Sequence, residues 1–227
     1  AALFVRRQSN WFVQSRQDDW IDGWNLGPDD RALAGDLDGD GRDEVFLRSP
    51  EWAGLLKHQG NAFHLLTAAN DRLGDWNLGP PDRELAADVD GDGRAEIVTR
   101  SPEWLGLIAF DGAGLVTRSV QGDRVGDWNL GPEDAEYIGR FTRPDRDEVL
   151  IRSHEWIGVL GCDRAEAGFV VRSIQGDRVE AWNLGPLDQL TVGDFDGDNL
   201  DEVYIRSPEW AGVLKWRDGG FHVLWIR

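Results

Sequence analysis

The sequence lacks the features of disulfide-rich, membrane-spanning and nucleic-acid-binding proteins. It has a single cysteine, Cys162, which excludes an intramolecular disulfide and a thiolate metal site and leaves the redox compartment undetermined. No apolar run approaches the roughly 20 residues that span a bilayer, so we expect no membrane insertion. Basic residues number 24 against 42 acidic ones, and the net charge of −18 disfavours binding to nucleic acid or anionic lipid.

Methionine is absent and tyrosine occurs only twice, whereas tryptophan occurs 12 times. The first residues lack the charged region, apolar region and cleavage site of a signal peptide, in that order. Together with the missing initiator methionine, this favours a processed or excised segment.

Much of the tryptophan belongs to two short blocks that recur in fixed phase. WNLGP begins at Trp24, Trp76, Trp128 and Trp182, and RSPEW begins at Arg48, Arg100 and Arg206, with the variant RSHEW at Arg152. A period near 50 residues indicates a repeat architecture. We therefore predict a single repeat domain over residues 1–227, with units starting near 24, 76, 128 and 182 and a partial unit over 1–23.

Each unit contains four short apolar runs bounded by turn residues, which in the second unit are ELAAD, EIVTR, LGLIAF and LVTRSV. Gly and Pro interrupt the chain too often for a helical solenoid, and no helical apolar stripe occurs. EVFLR and its counterparts are apolar on both faces, as expected for a sheet that lies between two others. The pattern predicts an all-β fold, a complete or partial β-propeller of about four four-stranded antiparallel blades.

An extra strand pair, ALFVRR and WFVQSR, precedes the first unit and aligns with the third and fourth strands of a preceding one. Half a blade cannot close a ring. We expect either that the chain is cut from a longer propeller or that these strands pair with another chain or an exposed sheet edge, which allows a homo-oligomer.

An acid-rich loop lies between the first and second runs of each unit. DLDGDGRDE places carboxylates at relative positions 1, 3, 5 and 9, a glycine at position 6 and a carbonyl at position 7, as oxygen ligands for a hard cation. Three loops keep this pattern, and the predicted ligands are Asp36, Asp38, Asp40, Arg42 and Glu44; Asp88, Asp90, Asp92, Arg94 and Glu96; and Asp194, Asp196, Asp198, Leu200 and Glu202.

The third loop, RFTRPDRDE, has lost the pattern, because Arg140, Thr142 and Pro144 occupy the first three ligand positions. We therefore expect about three Ca²⁺ per chain. Mg²⁺ is disfavoured because it resists so fully dehydrated a protein cage. The alternative is that these segments are solvated Asp-Gly turns.

DxDGDGxxE resembles the FG-GAP or VCBS repeats of integrin α-subunit propellers and of propeller lectins. The resemblance covers nearly the whole chain and implies a calcium-binding β-propeller. It departs from the family in two places: Glu stands at position 9 instead of Asp, and Arg-Ser-Pro-Glu-Trp replaces the Gly-Ala-Pro segment. The bound ligand is not implied.

In an antiparallel meander, RSPEW and WNLGP must share the face opposite the acid loops. Indole rings and acidic groups are suited to pyranose recognition, and the predicted ligand-binding residues are Trp52, Glu51, Trp104, Glu103, Trp156, Glu155, Trp210 and Glu209. The site with His154 in place of Pro should differ from the others. Alternatively, these residues pack blade on blade, with the four repeat arginines buried against acids.

No catalytic constellation is apparent, since the four histidines do not recur in phase. We therefore predict a non-enzymatic, calcium-stabilised, extracellular, periplasmic or cell-surface module that binds a glycan in the manner of a lectin. The alternatives are a protein-adhesion or assembly module and a scaffold domain of a larger secreted enzyme.

Overall fold

The structure, a computed structural model, describes residues 2–7, 10–163 and 168–227, and all of the regular elements it assigns there are β-strands. Within these ranges no helix is long and apolar enough to cross a membrane. Each strand pair is antiparallel. The predicted all-β class is confirmed.

Four four-stranded sheets, here called blades 1 to 4, follow one another along the chain, and the strands of each lie in sequence order. A ribbon of two very short strands precedes each blade and contains the WNLGP tryptophan. An N-terminal hairpin of β1 (Ala2–Arg7) and β2 (Asn10–Arg16) comes before the first ribbon.

The first ribbon is β3 (Trp20–Ile21) and β4 (Trp24–Asn25), followed in blade 1 by β5 (Arg31–Gly35), β6 (Glu44–Arg48), β7 (Trp52–Gln59) and β8 (Ala62–Asn70). The second ribbon is β9 (Arg72–Leu73) and β10 (Trp76–Asn77), followed in blade 2 by β11 (Arg83–Ala87), β12 (Glu96–Arg100), β13 (Trp104–Phe110) and β14 (Leu115–Gly122).

The third ribbon is β15 (Arg124–Val125) and β16 (Trp128–Asn129), followed in blade 3 by β17 (Ala135–Gly139), β18 (Glu148–Arg152), β19 (Trp156–Asp163) and β20 (Gly168–Gly176). The fourth ribbon is β21 (Arg178–Val179) and β22 (Trp182–Asn183), followed in blade 4 by β23 (Gln189–Gly193), β24 (Glu202–Arg206), β25 (Ala211–Arg217) and β26 (Gly220–Ile226).

Successive blades contact each other through their first strands and again through their fourth strands. An apolar cluster lies between each pair of neighbouring blades, and β12 and β18 are buried along their whole length. This packing is that of propeller blades, so the partial β-propeller is confirmed. The hydrophobic effect that stabilises the array therefore acts mainly between repeats.

The N-terminal hairpin occupies the place of the third and fourth strands of a preceding blade, as predicted. The Gln17 side chain exchanges two hydrogen bonds with the backbone of Phe63 in blade 1, at 2.8 and 3.1 Å. Gln121 in blade 2 makes the same exchange with Phe169 in blade 3. In both pairs the glutamine thus bonds to the blade that follows its own. Which edge completes the half blade, and whether the chain forms oligomers, stay predictions.

Candidate functional sites

The acid loops are shaped by hydrogen bonds from their own backbone to the first aspartate. In loop 1, the Asp36 carboxylate accepts N–H bonds from Gly39, Asp40 and Gly41 at 2.8 to 3.1 Å. Gly41 has φ +83°, and Asn199 at the same position of loop 4 has φ +67°, in the left-handed region that glycine and asparagine tolerate. The predicted turn at position 6 is therefore present.

These turns bring carboxylates together in all three loops that keep the acid pattern. In each of three clusters the oxygen atoms lie within 4.8 Å of one another, and the clusters are Asp36, Asp38 and Asp40; Asp88, Asp90 and Glu96; and Asp194, Asp196 and Glu202. A set of carboxylate oxygens at this spacing suits a hard divalent cation. The chain therefore has acidic clusters that could hold a metal ion.

The glutamate at position 9 begins the second strand and is buried beneath its loop. In loop 2, burial and the neighbouring Asp90 raise the pKa of Glu96 to about 8. Its Oε2 atom is buried without a hydrogen-bond partner among the described residues. A buried carboxylate oxygen that lacks a donor fits a cation ligand, because such an atom is costly to desolvate without compensation.

Basic side chains from the third and fourth strands reach all three clusters, which the sequence analysis did not foresee. Lys57 Nζ contacts Asp38, lies 2.8 Å from Asp40 Oδ2 and lies 3.0 Å from Glu44 Oε1. Burial lowers the pKa of Lys57, but the hydrogen bonds that Lys57 donates to these carboxylates outweigh burial and raise the pKa. The ammonium group is thus held in its charged form among three predicted calcium ligands.

The third loop contains ion pairs and a hydrogen bond from a threonine hydroxyl, at the place where loops 1, 2 and 4 have clustered carboxylates. Thr142 donates from its hydroxyl to Glu148 Oε1 at 2.6 Å, and Arg140 Nε lies 3.2 Å from Asp147. Arg143 pairs with Asp145 at 2.7 Å. Among the residues the structure describes, no cluster of metal-ligating groups is found in this loop. The loss of the calcium site in the third loop stays a prediction.

On the opposite face, the two recurrent blocks sort their tryptophans into buried and exposed sets. The WNLGP tryptophans are only 4 to 8% exposed, whereas Trp52, Trp104, Trp156 and Trp210 of the second block are 50, 49, 44 and 55% exposed. The preceding glutamates, Glu51, Glu103, Glu155 and Glu209, are exposed as well. Packing in the core therefore explains why the WNLGP tryptophans recur. The tryptophans of the second block remain accessible to a ligand.

The repeat arginines are structural, although the acids are not their main partners. Arg48 donates to the carbonyl of Leu78 in the next repeat at 2.6 Å, and Glu84 lies 3.9 Å from its Nε. Arg100 and Arg152 make the same bond one repeat further on. The alternative interpretation predicted that Arg206 is buried like the other three arginines, and this prediction is wrong. The Arg206 side chain is exposed, because no next repeat within the described chain covers it.

The WNLGP tryptophans are buried because each packs over a glycine in the third strand of its own blade. A Cβ on Gly106 would lie 2.6 Å from the Trp76 ring, and one on Gly54 would lie 2.5 Å from the Trp24 ring. The Trp76 indole also donates to Asp82 Oδ2 at 3.1 Å. The WNLGPxD block is therefore a packing unit between blades.

A pocket of about 390 Å³ adjoins the exposed tryptophan of blade 1. Trp52 forms one wall, and Asp22, Asn25 and Ser49 add polar groups. Its size falls within the range of small-molecule sites. Asp22 and Asn25 were missed by the sequence analysis, because they lie in and beside a ribbon too short to be recognised, and only the fold places them in the same pocket as Trp52.

The family comparison bears on the first two acid loops. Residues 36–99 match the model of the FG-GAP-like repeat. This segment is similar to FG-GAP-like repeats. It begins at the first acid of loop 1 and ends in the second strand of blade 2, so the FG-GAP-like match includes two complete acid loops. No curated protein matches the chain by sequence.

Solved structures with the same fold include proteins of different kinds. An Agrocybe aegerita lectin that recognises non-reducing terminal N-acetylglucosamine is 18% identical, with a TM-score of 0.62 over 90% of this chain and 52% of that chain. A Photorhabdus luminescens Tc holotoxin pore is 13% identical, with a TM-score of 0.59 over 91% of this chain and 10% of that chain.

The rhamnogalacturonan lyase YesW is 16% identical, with a TM-score of 0.53 over 86% of this chain and 41% of that chain. At these identities the likeness shows a shared fold. The chain spans about half the length of the lectin and less of the other two proteins.

Proposed function

We propose that the chain is a calcium-stabilised, non-catalytic binding module that recognises carbohydrate in the manner of a lectin. One observation carries this proposal: each blade exposes one tryptophan at an equivalent position, while its other recurrent tryptophan is buried in the core. An indole that is 44 to 55% exposed leaves a large apolar surface in contact with water. Such a ring is suited to cover the apolar face of a sugar.

The pocket in blade 1 offers the most complete site. Trp52 provides the stacking surface, and Asp22, Asn25 and Ser49 provide acceptors and donors for hydroxyl groups. The Asp22 carboxylate is held in place because it accepts one hydrogen bond from the backbone N–H of Leu65, at 3.0 Å. A polar group fixed in this way loses little entropy when a ligand binds.

Calcium would support the opposite face of the blades. The acids of loops 1, 2 and 4 would hold about three ions, which would link the first strand of each of these blades to its second. Sites of this type are filled where calcium is millimolar, so we propose an extracellular, periplasmic or cell-surface location. The buried Glu96 oxygen that lacks a donor supports this assignment.

An assembly function is the second candidate, and the exposed side of blade 4 favours it. Phe195 is 52% exposed, whereas its counterparts Leu37, Val89 and Phe141 are fully buried against the next blade. Exposed apolar groups at a position that is otherwise an interface are typical of protein-binding surfaces. A partner bound there would make the chain an adhesion module or a scaffold for a larger secreted enzyme.

The test of carbohydrate binding uses a glycan array that includes N-acetylglucosamine-terminated glycans and rhamnogalacturonan fragments, probed with and without calcium. We expect Trp52→Ala and Trp104→Ala each to weaken binding, without a change in melting temperature, because each removes one of four equivalent sites. We expect Trp225→Ala, at an exposed tryptophan outside the two blocks, to bind normally. Glu103→Gln and Glu209→Gln should weaken binding and leave melting unchanged. A large drop in melting would instead show that these acids are structural and would favour the assembly function.

A further inference from the structure

Every blade has one basic residue at one of two equivalent positions, but these positions lie on two different strands. At one position of the third strand the four blades have Lys57, Ala109, Gly161 and Lys215. At the bulge of the fourth strand they have Leu66, Arg118, Arg172 and Leu224. Blades 1 and 4 thus have lysine on the third strand and leucine at the bulge. Blades 2 and 3 have a small residue on the third strand and arginine at the bulge.

The two lysines make nearly the same contacts. Lys215 Nζ lies 2.6 Å from Asp196 Oδ2, 2.8 Å from Asp198 Oδ2 and 2.6 Å from Glu202 Oε1. Lys57 contacts the equivalent three carboxylates of loop 1. Both side chains are nearly buried, and each ammonium lies among three of the carboxylates predicted to bind calcium at its loop.

The arginine of blade 2 covers its cluster less completely. Arg118 approaches only Asp90 and Glu96, at 3.3 and 3.1 Å, and its side chain is 40% exposed. The Oε2 atom of Glu96 still has no donor among the described residues. In blade 3, where the acids are lost, Arg172 instead lies beside Gly161 and donates to the Cys162 carbonyl at 3.4 Å.

We propose that Lys57 and Lys215 are tethered counter-ions that compete with calcium at loops 1 and 4, and that loop 2 is the tight calcium site of the chain. This inference rests on the proposed calcium binding. Ca²⁺ needs carboxylate oxygens at 2.3 to 2.6 Å, and an ammonium hydrogen-bonded to the same oxygens both occupies them and repels the ion. At loop 2 the cation has only to displace a partly solvated guanidinium.

The experiment titrates CaCl₂ into the chelator-treated chain by isothermal calorimetry. We expect one tight binding event and two weaker ones. Asp88→Asn should remove the tight event. The double variant Lys57→Met and Lys215→Met keeps the apolar stems without the charges, and it should tighten the two weak sites by about tenfold or more. Lys57→Arg keeps the charge and serves as the matched control, in which site 1 stays weak.

The reverse substitution, Ala109→Lys, should weaken the tight site, and circular dichroism of each variant checks that it folds. Three equivalent sites in the wild type, or lysine variants with unchanged affinity, would overturn the inference while the proposed calcium binding stands. Binding that appears only after the lysines are removed would overturn the assignment of loop 2. No calcium binding to any of these proteins would overturn the proposed calcium function and the inference together.

Discussion

Individual residues in this chain have roles that depend on which strand carries them and what lies opposite. Trp76 is buried because Gly106 leaves space for its ring, whereas Trp104, two residues before that glycine, points to solvent. The same residue type therefore stabilises the core at one position and is free to bind at another. The composition shows that tryptophan is abundant. Only the packing distinguishes the tryptophans that stabilise the core from those that are accessible to a ligand.

At the residue scale we predict a pH dependence that arises from Glu84. Burial raises its pKa to about 7 from an ordinary value of 4.5, although Arg31 and Arg48 oppose the rise. Between these values the folded chain retains a proton that the unfolded chain has lost. Its contribution to stability is therefore complete below about pH 4.5 and is lost as the pH rises through about 7.

Glu84→Gln cannot ionise and should not show this loss. Urea unfolding of the two proteins from pH 4 to 8 should show the wild type losing roughly 1 to 3 kcal/mol relative to the variant. Titrations of all other groups are shared and cancel in the difference. A difference that is independent of pH would show that Glu84 has the same pKa in the folded and unfolded chains, so that Arg31 and Arg48 fully offset its burial.

Among the elements, the blade strands were predictable from sequence and the ribbons were not. β12 and β13 begin or end within one or two residues of the predicted runs, because apolar residues bounded by Gly and Pro are a strong local signal. β9 and β10 have two residues each, too few for any periodicity. They form because Trp76 packs on the third strand, a contact that no local pattern records.

The acid loops show the same limit. Their turns and acids follow from DxDGDG, which is a local pattern. Lys57, however, reaches Asp38 across 19 residues, and Arg118 reaches Asp90 across 28. The fourth-strand bulge, which all four blades share, brings Arg118 to loop 2, and the position of this bulge is a property of strand pairing. The differences among the three candidate calcium sites could therefore not be foreseen.

At the scale of elements we predict that the repeat arginines connect blades. Arg100→Met removes two hydrogen bonds to the carbonyls of Leu130 and Gly131 in the next repeat, at 3.0 and 3.2 Å. The buried Leu130 carbonyl loses this donor, whereas the Gly131 carbonyl still accepts a hydrogen bond from the backbone N–H of Asp134 at 3.2 Å. The expected loss is about 2 to 4 kcal/mol in the free energy of unfolding.

Arg206→Met is the matched control, because Arg206 has the same place in its blade but is exposed. Its unfolding in urea should match that of the wild type within about 0.5 kcal/mol. Equal losses in the two variants would mean that the arginine acts within its own blade, through the turn that it closes, and the proposed connection between blades would be wrong.

Over the whole molecule, the repeat array turns one weak site into several that are held at fixed spacing. The four exposed tryptophans occupy equivalent positions in four blades that pack directly on one another. A single shallow indole site binds a sugar weakly. Equivalent sites on a rigid frame raise the overall affinity by about 10² to 10⁴ when a multivalent glycan spans them, without any new contact.

This reasoning predicts that binding depends on the density of the glycan. Surface plasmon resonance on densely and sparsely coated glycan surfaces should show tight binding of the wild type to the dense surface alone. A variant that keeps Trp52 and has alanine at 104, 156 and 210 should lose about 10²-fold or more on the dense surface. On the sparse surface it should bind nearly as well as the wild type, because the pocket of blade 1 is intact. Equal losses on both surfaces would mean that the blades contribute to one composite site, and multivalency would then not be the reason for repeating it.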